Sequence, residues 1–264
     1  MMVRSRFKIL ALLLTALLIS GCRGAKTPQG VTESTRQGQR VLLITGGHDF
    51  HQEKFFDMFF SLGDFRIDTL HQPVANRSLL SDTIDLYDVI VFYDMWQEIS
   101  EQEKNAFINL TEIGTGLVFL HHSLVSYQKW DDIKQIRGGK YYERSYDYPP
   151  ERLSDYKHDI LMDITVKAPH HPVTAGIRDF RILDEGYSNI EVIDEVTPLL
   201  TTNHPECSEI IAWAHRYNNS RVVYILPGHD DKSWSNENYR RLLANAITWT
   251  GNRLEKYPFP IIGD

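Results

Sequence analysis

Short hydrophobic runs recur along this chain, and segments with helical spacing of apolar residues separate them. Unalternating runs at 41–44, 89–93 and 116–120 are each followed within two residues by glycine, aspartate or histidine. Such runs are typical of short strands buried on both faces of a sheet. Phenylalanines recur at helical spacing over 53–62, and a serine with a glutamate three residues later indicates the start of a helix over 100–113.

The remainder of the chain continues this alternation and predicts an α/β fold with a doubly wound, mostly parallel sheet. The aromatic and charged stretch 127–154 contains paired glycines and paired prolines, which predicts a long active-site loop or lid-like insertion. Further strands are predicted at 65–70, 160–166, 180–183, 197–200, 209–214 and 221–226, with a closing helix at 236–250 that ends at Gly251.

The first 22 residues predict a lipoprotein signal peptide. Basic side chains at positions 4, 6 and 8 precede an apolar core over 9–19, which is shorter than a membrane-spanning helix. The next residues, Ile19-Ser-Gly-Cys22, resemble the bacterial lipobox, in which Cys22 is lipidated; an ordinary secretory signal is the alternative. Residues 23–39 are polar and predict a flexible tether, and residues 40–264 fit one α/β domain. We therefore expect a protein of the bacterial cell envelope, lipid-anchored at the periplasmic or outer-membrane face.

Net charge and cysteine content exclude several kinds of partner and site. The chain has a net charge of −7, and loss of a signal peptide whose charged residues are all basic makes the mature chain more acidic. We expect no nucleic-acid partner, and membrane contact only through the lipid. Besides Cys22 the chain has only Cys207 and no Cys-x-x-Cys pair, so we expect neither an intramolecular disulfide nor a thiolate metal site. Cys207 is interpreted as inert rather than reactive.

Histidines follow several predicted strands at the point where each strand ends. His48 and His51 come after the first strand, His121 and His122 follow the run at 116–120, and His229 follows the last strand. The carboxyl ends of parallel strands share one edge of an open α/β sheet, where such folds bind ligands. We therefore expect these imidazoles to lie together. The loops between later strands add His171, Asp184 and Glu185.

Nucleophilic hydrolysis is a weaker interpretation of the same turn. Hydrolase folds carry their nucleophile directly after such a strand, but no cysteine and no G-x-S-x-G motif is present there. Ser123 lacks the flanking glycines that a sharp elbow needs.

Several short motifs, taken in order, resemble the trehalose-utilisation (ThuA-like) family. They are Gly46-Gly-His-Asp-Phe-His51, Leu120-His-His122, Gly138-Gly139 followed by an aromatic, His171-Pro-Val-Thr174, Asp184-Glu-Gly-Tyr187, Ile211-Ala-Trp-Ala-His215, Arg221-Val-Val-Tyr224 and Gly228-His-Asp230. The chain departs from the family pattern at Arg144, where histidine is usual, and at Gly186, where leucine is usual. The resemblance implies a flavodoxin-like, class I glutamine amidotransferase-like fold without the amidotransferase thiol, and a role in carbohydrate utilisation.

Within that resemblance, the expected substrate is a small sugar or keto-sugar, converted by isomerisation, hydration or elimination. We predict Glu185 and Asp184 as catalytic carboxylates whose pKa is raised by partial burial, and His122 or His229 as the complementary acid. Contacts to the sugar are predicted for His48, His51, Trp96, Tyr127, Trp130, Tyr141 and Tyr187.

The same polar groups would also suit a divalent metal. Imidazole and carboxylate ligands are compatible with zinc, manganese or nickel, which would polarise a sugar carbonyl or orient a vicinal diol. The candidate ligands are a subset of His48, His121, His171, Glu185 and His229. Metal-free acid–base catalysis is an open alternative, and so is a non-catalytic carbohydrate-binding or scaffolding lipoprotein. The sequence does not predict an oligomeric state.

Overall fold

The computed structural model of the chain describes residues 38–252. The predicted signal peptide, the lipidation site Cys22 and most of the predicted tether therefore lie outside the described residues. The last predicted tether residue, Gln39, already belongs to the first strand and pairs with Phe65. Within 38–252, no helix has the length and apolar character needed to cross a membrane.

Strands and helices alternate through the first half of the described chain, and strands dominate the second half. Short 3₁₀ helices lie at Asp82–Leu86, His121–Val125, Pro150–Arg152 and Pro172–Thr174. The main elements are β1 (Gln39–Gly46), α1 (Gln52–Phe60), β2 (Phe65–His71), α2 (Val74–Ser78), β3 (Val89–Asp94), α3 (Glu101–Ile113), β4 (Gly116–Leu120), α4 (Ile133–Arg137), β5 (Gly139–Lys140), β6 (Asp155–Val166), β7 (Phe180–Ser188), β8 (Glu191–Val192), β9 (Thr197–Thr202), β10 (Ile210–Tyr217), β11 (Ser220–Ile225), α5 (Asp231–Trp234) and α6 (Glu237–Thr250).

A nine-stranded sheet organises the domain, in the order β2-β1-β3-β4-β11-β10-β9-β6-β7. The pairs from β2 to β11 are parallel, whereas each pair from β11 to β7 is antiparallel. Consequently only β10 and β6 run against the direction of the other strands in this sheet. The order of its parallel part is the flavodoxin-like one, whose switch point lies between β1 and β3. The predicted α/β fold with mostly parallel strands is confirmed.

The core forms where the sequence has its unalternating apolar runs. Residues 41–44, 89–93 and 222–226 are fully buried, as expected for central parallel strands covered on both faces. Phe55 of α1 stacks on Tyr93 of β3, with ring centroids 4.3 Å apart. At the start of α3, the side chain of Ser100 accepts a hydrogen bond from the Glu103 N–H while the Glu103 carboxylate accepts one from the Ser100 N–H. This capping box was the predicted start signal of the helix.

The antiparallel strands curl back toward the parallel ones. In the sheet order β7 lies four strands from β11, yet the Asp184 carboxylate of β7 accepts hydrogen bonds from the backbone N–H groups of Gly228 and His229, just after β11. The backbone N–H of Ser208 also donates to the Tyr187 carbonyl at 2.7 Å. The edge strand β7 therefore reaches back to the carboxyl end of β11.

Two expectations about the later segments need correction. Asp184 and Glu185 do not lie in a loop or at a strand end, because β7 continues through Ser188. The stretch 127–154 is not a free lid: it contains α4 and β5, and Tyr127 and Trp130 are buried in the core. Its aromatic and apolar side chains are used for packing, and only its later part, around Tyr141 to Arg144, borders a cleft.

Candidate functional site

A cleft of about 640 Å³ opens at the carboxyl ends of the parallel strands. Strand-end residues form one wall, and side chains of β6 and β7 form the other. This position next to the β1/β3 switch point is where open α/β sheets bind ligands. Polar and aromatic side chains that line the cleft are His48, Trp96, His122, Tyr141, His158, Glu185 and Tyr187.

Glu185 joins three imidazoles at the bottom of this cleft. Its Oε2 lies 2.8 Å from His121 Nε2 and 3.4 Å from His229 Nδ1, and its Oε1 lies 3.0 Å from His158 Nδ1. Glu185 is 5 % exposed. A buried carboxylate requires such partners, because an unpaired charge in a protein interior is strongly unfavourable.

His121 lies at a strained position directly after β4. Its φ of 46° is left-handed, and the 3₁₀ helix His121–Val125 follows at once. Strand-to-helix elbows hold a nucleophile at such a position, and in this chain the position carries an imidazole instead, with Ser123 two residues further on. His121 Nδ1 donates to the Leu226 carbonyl at 2.7 Å, which leaves Nε2 facing Glu185, His229 and the Tyr187 hydroxyl.

The loop that carries His229 is fixed from several sides. The Asp184 carboxylate accepts the N–H of Gly228 at 2.7 Å and that of His229 at 3.1 Å. The Tyr93 hydroxyl and the Trp234 indole N–H donate to the Gly228 carbonyl. Asp184 is almost fully buried and is not among the residues that line the cleft. Its carboxylate therefore positions the loop after β11.

Two further imidazoles present atoms without a hydrogen-bond partner. His122 Nδ1 donates to the Asp94 carbonyl at 3.1 Å, whereas its buried Nε2 has no partner among the described residues. His48 Nδ1 is likewise unpartnered, and the two rings lie 4.8 Å apart. Buried polar atoms are normally paired, so these atoms indicate a place for a ligand or water.

The pKa shifts at the centre describe an ion pair. Burial alone would raise the pKa of Glu185, but hydrogen bonds from His121 and His229 and their charge lower it well below its usual range. For His229, burial lowers the pKa, but the hydrogen bond to Glu185 and the negative charges of Glu185, Asp184 and Asp230 together raise it overall. The predicted rise in carboxyl pKa is therefore wrong for Glu185. Burial does raise the pKa of Asp184.

The pKa of His122 also changes its predicted role. Burial, together with the neighbouring His121 and His48, holds the pKa of His122 well below its ordinary value. The ring is consequently neutral, and because Nδ1 donates to a backbone carbonyl, Nε2 carries the lone pair. His122 is suited to accept a hydrogen bond, not to supply a proton as a general acid.

Several residues predicted from the sequence do not line the cleft. His51 caps α1, accepting the Lys54 N–H, and His171 caps the short helix after it while packing on Trp249. The hydroxyl of Tyr127 donates to Asn76 at 2.7 Å within a buried network. Trp130 packs on Phe107 in the core. Trp96, in contrast, is 52 % exposed on the rim of the cleft.

His158 and Tyr156 were not predicted, and both line the cleft from β6. Their spacing of two residues puts them on one face of the strand. The pairing of β6 with β7 is interrupted between Lys157 and Ile160, and Asp159 has a φ of 55°. Such bulges re-aim side chains near active sites, and here His158 faces Glu185 while Asp159 pairs with Lys232. The alternation over Tyr156-Lys-His158 was the available sequence signal.

Comparisons with known proteins agree with this architecture. The profile of the ThuA family, described as trehalose utilisation, matches residues 40–250. The chain belongs to the ThuA family, which connects it with carbohydrate utilisation, and the fold predicted from the motifs is confirmed. A comparison with curated proteins gave no match.

Solved structures with the same fold come from several bacteria. A ThuA-like protein from Parabacteroides merdae is 18 % identical, with a TM-score of 0.67, over 81 % of this chain and 90 % of that one. One from Bacteroides uniformis is 20 % identical, with a TM-score of 0.62, over 85 % and 95 %. A β-galactosidase from Rahnella is 11 % identical, with a TM-score of 0.54, over 85 % of this chain but 33 % of the enzyme. At these identities the likeness concerns the fold alone.

Proposed function

We propose that this ThuA family protein is an enzyme that moves a proton on a sugar or keto-sugar, in an isomerisation, hydration or elimination. One contact carries the proposal: the 3.0 Å approach of His158 Nδ1 to the buried Glu185 carboxylate, with the His158 side chain 54 % exposed. A carboxylate behind an imidazole that faces a cleft is a recurrent arrangement for proton transfer.

The roles follow from the protonation of this pair. Glu185 is ionised, since its pKa is lowered, and an ionised carboxylate only accepts hydrogen bonds. It therefore keeps the proton of His158 on Nδ1 and leaves Nε2 as the base. That nitrogen takes a proton from the carbon beside a carbonyl in isomerisation or elimination, or from water in hydration. The general-base role predicted for Glu185 thereby passes to His158, with Glu185 orienting it.

Other groups on the cleft suit a polyhydroxylated substrate. The unpartnered His122 Nε2 can accept a hydrogen bond from a sugar hydroxyl. The Tyr187 hydroxyl stays protonated, because burial raises its pKa well above the ordinary value, and it can donate to a developing oxyanion. Behind the cleft, His229 has a raised pKa and is the candidate to return a proton in the metal-free protein.

The exposed aromatic pair on the rim supports a second candidate, a carbohydrate-binding protein without turnover. Trp96 and Tyr156 are 52 % and 55 % exposed and line the same cleft, and amphipathic rings of this kind are used where one face of a ligand is apolar. Sugar binding at such a rim needs neither an ionised carboxylate nor an imidazole cluster. A binding protein would therefore leave these groups without a role, and we rank the enzyme first.

The test is deuterium exchange and turnover with a panel of keto-glucosides in heavy water, followed by proton NMR. We expect His158→Gln to lower turnover by about 10²–10⁴, the usual cost of losing a general base. Sugar affinity should change little. His171→Gln is the matched control, since His171 does not line the cleft. Saturable sugar binding by wild-type protein with neither exchange nor turnover would favour the binding protein instead.

A further inference from the structure

We propose that His121, Glu185 and His229 bind one divalent transition metal; its catalytic use rests on the proposed function, whereas its binding does not. One ligand atom from each residue lies within 4.8 Å of the others. The distances are 2.8 Å from Glu185 Oε2 to His121 Nε2, 3.2 Å between the two ring nitrogens and 3.4 Å from Oε2 to His229 Nδ1. Metal–ligand bonds of about 2.1 Å separate neighbouring ligands by about 3.0 Å in an octahedron and about 3.4 Å in a tetrahedron.

Each of the two inner ligands is oriented by a second partner. His121 donates its Nδ1 proton to the Leu226 carbonyl, so that Nε2 offers its lone pair to a metal once the ion displaces the proton that Nε2 shares with Glu185. Metal-binding histidines are held in this way almost without exception. In Glu185, Oε1 faces His158 and Oε2 faces the centre, which suits one oxygen to the metal and the other to the imidazole.

The third ligand is on a loop with little freedom. His229 follows Gly228, whose N–H and carbonyl are held by Asp184 and by Tyr93 and Trp234. A site whose ligands are fixed before the ion arrives binds with a smaller loss of conformational entropy. The buried, unpartnered Nε2 of His122 is a separate sign of a missing ligand, since its ring lies 5.4 Å from that of His121.

The donor set defines the class of metal. Two imidazoles and one carboxylate suit zinc, manganese or nickel, whereas calcium and magnesium prefer oxygen ligands throughout. Three protein ligands leave coordination positions for water or sugar oxygens, as in catalytic rather than structural sites. When bound, such an ion polarises a carbonyl or orients a vicinal diol, and His158 at the cleft side moves the proton.

The test measures metal without any sugar. Full-length protein purified without a histidine tag is analysed for its elements, then treated with chelator and titrated with zinc, manganese or nickel chloride while its melting temperature is recorded. We expect one equivalent of metal and a higher melting temperature on addition, since ligands of the native state stabilise it. Glu185→Gln and His229→Gln should weaken binding at least 100-fold, while His171→Gln should bind like wild type.

Circular dichroism keeps the result interpretable, because only variants with a wild-type spectrum are compared. Folded wild-type protein that retains no metal and shows no melting shift with any of the three chlorides would overturn the site, as would wild-type binding by both variants. Stoichiometric metal without turnover of any keto-glucoside would leave the metal site standing and reject the enzyme. Full turnover by chelated, metal-free protein would show that the metal has no role in catalysis.

Discussion

At the scale of single residues, partners rather than burial determine the chemistry of Glu185. A carboxylate with 5 % exposure and no partner would have a raised pKa and would itself be a base. The hydrogen bonds from His121 and His229 reverse this effect and keep the group ionised. The Glu185 carboxylate is thus a buried negative charge beneath the cleft, and it orients the imidazoles around it.

Asp94 shows the opposite behaviour at the end of β3. It is fully buried, and burial raises its pKa to about 6 although Gln72 donates to it at 2.8 Å and Arg137 and Tyr127 lie nearby. In the folded protein this carboxyl therefore holds its proton up to a higher pH than in the unfolded chain, whose ordinary value is 3.8. The ionisation of Asp94 consequently costs folding free energy between these two values.

We predict that Asp94→Asn removes this cost. As pH rises from about 4 to about 6, the wild type loses stability relative to the variant, by up to about 3 kcal/mol because each pH unit is worth about 1.4 kcal/mol. Any change in hydrogen bonding adds a constant offset that does not vary with pH. Urea unfolding of both proteins at several pH values measures the difference, and a difference that stays flat across this window would contradict the prediction.

At the scale of elements, the sequence predicts the parallel strands better than the antiparallel ones. Runs such as 41–44 and 89–93 are apolar throughout, because they are buried on both faces. β6 begins five residues before the predicted 160, since its first residues are exposed and polar. The bulge in β6 explains why His158 was not predicted as a site residue. The shifted register depends on pairing with β7, which local periodicity does not encode.

The candidate site likewise contains residues that the sequence predicts and residues whose roles it does not predict. The imidazoles after β1, β4 and β11 were predicted, because the carboxyl ends of parallel strands share an edge. The roles of His51 and His171 as helix caps could not be read from residue type, since a capping histidine and a ligand histidine look alike in sequence. The burial of Tyr127 and Trp130 depends equally on tertiary packing.

The loop after β11 offers a test at this scale. Gly228 has a φ of 132°, and an added Cβ would lie 2.6 Å from the Tyr239 hydroxyl. We predict that Gly228→Ala lowers the free energy of unfolding by about 1–3 kcal/mol, the usual cost of a strained backbone position. Because His229 is the next residue, turnover should also fall. Chemical denaturation provides the measurement, with Gly63→Ala, a glycine whose nearest neighbour leaves ordinary space, as the control. Equal losses in the two variants would argue against strain at Gly228.

At the scale of the whole molecule, we propose that the protein is a lipid-anchored protein of the bacterial envelope, which the lipobox-like Ile19-Ser-Gly-Cys22 supports. We predict that Cys22→Ala abolishes lipidation and moves the protein from the membrane fraction to the soluble fraction. Fractionation with metabolic labelling by a fatty acid analogue is the measurement, and Cys207→Ala is the control. Wild-type protein without lipid in the soluble cytoplasmic fraction would refute the proposal.

The curled sheet has a consequence for how the protein matures. Along the chain, His121 is 64 residues from Glu185 and 108 residues from His229. The cluster of these three residues therefore consists of contacts between distant parts of the chain. Contacts of this kind form slowly, because a long loop must close before they contribute. The paired strands β6 and β7 must reach the carboxyl end of β11 before the Glu185 carboxylate meets its imidazoles. A newly made chain therefore lacks the cluster of Glu185 and its imidazoles until both the parallel and the antiparallel parts of the sheet are in place.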